Sequence, residues 1–186
     1  MIMQMQIKKL TLLLIMLISV TFIKAQDTMR VVIPVDSNTN LITYAGGTKE
    51  EGSQYELYKR GIEWVNINFK NPADVTRVRD DVKGEIQGVY RLQLERADDK
   101  GVKVKTGTIE YSFTIQFKDN KYRYKFTGFF LKDNSRQPIE KWLDKKSSGY
   151  TPMWDEYLAQ VNKHVLKLIE SLKKTMQGKK AVKDDW

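Results

Sequence analysis

The chain has one histidine, no cysteine and, within its body, the adjacent aspartates Asp80-Asp81 and Asp98-Asp99, and these residues bound the chemistry it can do. His164 sits beside Val161 and Val165 in a helical run near the C-terminus. The chain has no cysteine, and no serine lies in a nucleophile elbow. A lone histidine at the border of an apolar stripe is expected to be solvated or locally hydrogen-bonded. A metal would have to be held by carboxylates. Asp80-Asp81 and Asp98-Asp99 fall in turn-like stretches, where neighbouring side chains point apart and suit water better than one ion. Gly46-Gly47 and the strand "GEIQG" are too sparse to cradle a phosphate. The expectation is no cofactor, no metal and no enzyme. The alternative kept open is a small envelope hydrolase with its site at a sheet edge or in the 144–152 loop, "DKKSSGYTP".

What remains is recognition, and it rests on the stretch from Thr108 to Leu131, "TIEYSFTIQFKDNKYRYKFTGFFL". Apolar and polar side chains alternate along it, the mark of a strand pair with one face buried and one wet. Asp119-Asn120 fits a two-residue turn. That turn sets Phe117 against Tyr122, Ile115 against Tyr124 and Phe113 against Phe126. Tyr111, Phe113, Phe117, Tyr122, Tyr124, Phe126 and Phe130 then share the core side. On the wet side Gln116 opposes Arg123 and Thr114 opposes Lys125. Arg91, Gln93 and Glu95 extend that side from "GEIQGVYRLQLER", and Glu110, Ser112 and Thr127 complete it. The candidate binding residues are Arg91, Thr114, Gln116, Arg123 and Lys125, offered to an envelope protein, a peptide or a glycan. The rival reading is a face kept polar only for solubility. Nucleic acid is not expected, because the face offers only Phe129 and Leu131 as apolar wedges, both at its far end.

Two helices must cover the other side. Ser53 and Glu56 form a capping box. Behind it Tyr58, Ile62, Val65 and Phe69 repeat at helical spacing, with Leu57 and Trp64 widening the stripe. Gly61 in the middle of this helix reads as a notch for close approach to a sheet. Thr151 caps the last helix with Pro152 in its first turn. Its inner face is expected to carry Trp154, Leu158, Val161, Val165, Leu168, Leu172 and Met176, and Trp142 is expected to tuck against the edge of the core. Upstream, "MRVVIPV" (29–35) and "LITYA" (41–45) read as a strand or hairpin, and "GGTKEEGS" as a loop. The predicted fold is two-layer α+β: an antiparallel sheet with two helices on one face. Its order is strand, helix, four strands, helix, with an extra N-terminal strand or hairpin.

The net charge of +9 suggests a basic partner surface, yet it is unevenly spread. Lys8 and Lys9 precede an apolar run from Leu10 to Ile23, and Ala25 follows, the pattern of a signal peptide over 1–25. The run is short of the ~20 residues a spanning helix needs, so no permanent span is expected after cleavage. The stretch from Lys173 to Trp186, five lysines against two aspartates, takes up +3 more of the charge, and its end, 177–186, is expected to be a disordered basic tail. Between them, 26–176 is expected to form one domain, exported to the periplasm or cell envelope, or secreted. The absence of cysteine leaves burial, not disulfides, to hold it together.

Four segments together resemble a known family. They are "YELYKRGIEWVNINFKNPADV", "GEIQGVYRLQL", "IEYSFTIQFKDNKYRYKFTGF" and "YLAQVNKHVLKLIESLKKTM". The family is a group of exported bacterial proteins described as a domain of unknown function with a TATA-binding-protein-like fold. The resemblance runs from about Val31 to Met176. It implies the same strand-helix-four-strand-helix order and no particular activity, and its name describes topology without implying DNA binding.

Overall fold

The long hairpin organises the sheet. In the computed structural model, which describes residues 31–177 apart from Asn134, β4 (Lys103–Lys118) and β5 (Lys121–Lys132) are joined by a tight turn at Asp119 and Asn120. Asn120 takes a left-handed φ of 58°. Asp119 instead accepts the backbone N–H of Gln54 at 2.7 Å, which ties the hairpin tip to the start of the first helix. Phe117 faces Tyr122, Ile115 faces Tyr124 and Phe113 faces Phe126, as the alternation requires. The proposed signal segment, Met29 and Arg30 of the first expected strand, and 178–186 of the tail lie outside the described residues.

Around this hairpin stand β1 (Thr43–Lys49), β2 (Thr76–Asp80), β3 (Glu85–Ala97) and the three-residue β6 (Arg136–Pro138). The strand order is β1-β5-β4-β3-β2, with β6 beside β5, and every pairing is antiparallel. Helix α1 (Gln54–Asn68) packs on β3, β4 and β5, and α3 (Pro152–Met176) packs on α1, β3 and a 3₁₀ turn at Ile139–Leu143. A single turn, α2 (Pro72–Val75), leads into β2. The protein is therefore an α+β domain, a six-stranded antiparallel sheet with helices over one face.

The core is aromatic. Trp64 of α1 meets Phe69, Phe113 and Phe126 edge-on, with ring centroids 5.5, 5.7 and 6.5 Å away. Its indole N–H donates to the Leu168 carbonyl at 3.2 Å, so the largest core side chain also satisfies its one polar atom. These rings fill the layer between helices and sheet that a small-ligand carrier would have to leave open. The capping box forms as read: the Ser53 hydroxyl accepts from the Glu56 N–H and the Glu56 carboxylate accepts from the Ser53 N–H. Ser53→Ala is expected to cost about 1 kcal/mol, read by denaturant titration with an unchanged m-value.

Four readings need correction. The N-terminal hairpin is a single bridge, Val35 to Ile42, and the "GG" stretch is strand: β1 runs through Gly46 and Gly47. Paired with β5, these glycines need no side chain, since the Tyr124 ring lies over Gly46. Phe130 is not in the core stripe. At Gly128, whose φ is +67°, β5 places two residues opposite Tyr111, a bulge that a glycine in the left-handed region permits. The extra residue reverses the alternation beyond it. Phe129 thus becomes fully buried and Leu131 packs against the core, so neither is an exposed wedge. Phe130 emerges on the open face, where the Arg136 guanidinium lies 4.4 Å over its ring.

His164 is drawn in further than a boundary position suggests. Its ring stacks on Tyr90 at 5.5 Å and its Nε2 hydrogen-bonds the Tyr111 hydroxyl at 2.8 Å. Burial, helped by Lys167, pushes its pKa from 6.5 down to about 4.

Candidate functional site

The face opposite the helices is assembled in cross-strand ranks. One rank is Glu85–Gln116–Arg123–Gly47, the next Gln87–Thr114–Lys125–Ala45, then Val89–Ser112–Thr127–Thr43. Strand alternation alone puts these residues on one side, and strand order decides which become neighbours.

Side chains of the first two ranks are wired together. Gln87 donates to Glu85 Oε1 at 2.6 Å, Gln116 donates to Glu85 Oε2, and Arg123 Nε donates to Gln116 Oε1 at 2.6 Å. Glu85 is the hub, accepting from two amides. The network holds Arg123 in one orientation over the sheet, so a partner meeting it need not freeze a free side chain. Lys125 stands beside Thr114 without an ion pair among the described residues. Its charge reaches Asp36 in the turn before β1. That carboxyl is held below its usual range first by the Thr39 backbone N–H and hydroxyl, with Lys125 adding a smaller pull.

Four of the five residues singled out in the sequence therefore converge: Thr114, Gln116, Arg123 and Lys125. Arg91 does not join them. It lies four residues beyond Gln87 on β3, ~13 Å along the strand. There Glu110 accepts from its Nε at 3.0 Å and also pairs with Arg136 at 3.4 Å. That exposed charge is already neutralised and contributes little to stability.

Sequence reasoning missed Glu85, which precedes the glutamine-bearing stretch, and Arg136, which reaches the face only because β6 adds to β5. The spacing of Glu85 and Gln87, two apart on one strand, was a usable signal. Nothing local marked Arg136.

The 144–152 loop is occupied with its own structure. Asp155 accepts from Lys145 at 2.6 Å and from the Tyr150 hydroxyl at 2.8 Å. The lysine first, then the tyrosine, holds this carboxyl below its usual range, the opposite of what a general acid needs. No group of three or more potential metal-binding side chains occurs among the described residues, and no described helix is long and apolar enough to cross a membrane.

Comparison with known proteins bears on the fold. Residues 50–131 match the family model DUF4468, a domain of unknown function with a TBP-like fold. The chain is similar to the crystal structure of a TBP-like protein from Parabacteroides distasonis ATCC 8503, with a TM-score of 0.62 and 14% identity over 78% of this chain and 97% of that one. It is also similar to a DUF4468 family protein from Bacteroides ovatus ATCC 8483, with a TM-score of 0.65 and 14% identity over 82% and 96% of the two chains. At this identity the likeness shows the fold. No curated protein matches.

Proposed function

From a chain that carries a DUF4468 domain with a TBP-like fold over residues 50–131, we propose a binding or scaffold module of the cell envelope that works through its open sheet face. Thr114, Gln116, Arg123 and Lys125 form the centre of that face. The partner is an envelope protein, a peptide or a glycan. The observation that carries the reading is the bonded array Gln87–Glu85–Gln116–Arg123, an ordered polar surface on the side no described helix covers. A face serving solubility alone gains nothing from holding its long side chains in fixed positions, which costs rotamer entropy.

Export follows from the apolar run at Leu10 to Ile23 and Ala25 after it. Analysis of the secreted or periplasmic fraction tests it, with Gln26 as the expected N-terminus; full-length chain in the cytoplasm would refute it. The binding face is tested by reversing Arg123 and Lys125 to glutamate and capturing partners from envelope extract. Both side chains are exposed, so the melting temperature should hold within ~2 °C while the wild-type partner is lost. An identical partner set would sink the reading.

A further inference from the structure

One end of the open face concentrates positive charge in a way the chain order hides. At the hairpin tip Lys118 of β4 faces Lys121 of β5, and Lys121 faces Lys49 of β1, three like charges in one cross-strand row. Lys83, from the turn between β2 and β3, and Arg123, one rank behind, join these lysines in lining a concave cavity of about 480 Å³, whose uncharged wall includes Gln116 and Tyr122. Directly opposed like charges destabilise a sheet, and neighbouring strands hold them ~5 Å apart.

The nearby acids form no ion pair with the row among the described residues, although Glu85 and Asp119, bonded to neutral amides, keep their negative charges. Asp80 pairs with Lys83 at 3.5 Å. Glu85 is engaged by the two glutamines, and Asp119 is engaged by the Gln54 N–H. Glu50 is one residue past Lys49, so it falls on the other face, where its charge acts on Tyr122. Lys49, Lys118 and Lys121 are exposed and make no ion pair among the described residues.

We propose that this end of the sheet is a binding site for a compact, multiply charged phosphoryl anion of the pyrophosphate type. The cavity falls within the size range of small-molecule sites. Lysines are compact point charges with freely turning donors, which suit tetrahedral oxyanions; planar carboxylates are better matched by the forked guanidinium. Single negative charges spaced along a peptide would not neutralise the four cations around one hollow that lack an ion pair among the described residues, Lys49, Lys118, Lys121 and Arg123, whereas two linked phosphoryl groups approach it. The site shares Gln116 and Arg123 with the docking face, but Thr114 and Lys125 lie outside its lining and Lys49, Lys83, Lys118 and Lys121 belong to it alone, so substitutions at Lys118 and Lys121 test it separately.

Calorimetric titration of the full chain with inorganic pyrophosphate at low salt is expected to show one saturable site that weakens as salt rises. The double variant Lys118→Gln with Lys121→Gln should bind at least about tenfold more weakly, with a melting temperature equal to or above that of the parent because repulsion is relieved. Arg91→Gln, at the far end of the face, should bind as the parent does. Four outcomes would each overturn the proposal. They are no saturable binding, undiminished binding by the double variant, citrate bound as tightly as pyrophosphate, and binding to phosphatidylglycerol vesicles with none to pyrophosphate.

Discussion

Replacing Gly61 with leucine is expected to destabilise the protein by ~3 kcal/mol or more, lowering the melting temperature by roughly 6–12 °C. The cause is the closeness of helix and sheet. A Cβ at this position would lie 2.3 Å from Phe117 Cζ and 3.0 Å from Ile86 Cδ1, both in fully packed core positions. Leucine adds three further carbons in the same direction. Phe117 cannot swing aside freely, since the Tyr58 ring meets it edge-on at 6.1 Å. Gly61→Ala divides the effects. Alanine gains ~1 kcal/mol of helix propensity but meets an overpacking cost of ~1–3 kcal/mol, so its net change should be small or moderately unfavourable. A leucine variant that melts with the parent would show that α1 does not sit in the notch described.

Acidification from pH 6.5 to pH 4 is expected to remove on the order of 3 kcal/mol of stability through His164 alone. The sign follows from where the proton binds. Above pH 6.5 the imidazole is neutral in both states and contributes nothing. As pH falls below 6.5 the unfolded chain takes up a proton that the folded ring refuses down to about pH 4, so unfolding is favoured across that window and the loss is complete below it. The ring refuses because it is packed against Tyr90 and Tyr111, with Lys167 nearby. Tyr111, buried and pushed up in pKa, stays protonated throughout. The depressed carboxylates Asp36, Glu56 and Asp155 lose their contribution only at lower pH, as they protonate. Denaturant titrations of the parent and His164→Gln separate the two classes, because the glutamine variant should be nearly flat between pH 6.5 and 4.5. A parent that is equally flat would show the ring protonating in the folded state as it does in water.

Much of this architecture is written in local pattern. Period-two alternation from Tyr111 to Phe126 and the Asp119-Asn120 turn determine the hairpin register, because shifting a strand by one residue would expose every aromatic side chain. Ser53 with Glu56 marks the start of α1, and the apolar spacing through Met176 marks the inner face of α3. These signals depend on residues within a few positions of one another, and packing has only to agree with them.

The bulge at Gly128 shows where local pattern stops. "TGFFL" reads equally well with Phe129 or Phe130 inside, and the choice depends on what Tyr111 meets across the strand. The same holds for surface chemistry. Lys49, Lys83, Lys118 and Lys121 are unremarkable where each stands in the chain, and Arg91 looks like an equal partner of Arg123. Only the order β1-β5-β4-β3 draws Lys49, Lys121 and Lys118 into one row with Lys83 beside it, leaves Arg91 against Glu110 and brings Arg136 in by way of β6. Alternation decides which face a side chain takes, because it is a property of one strand. Which charges become neighbours is decided by long-range pairing, since residues ~5 Å apart across a sheet can be seventy apart along the chain.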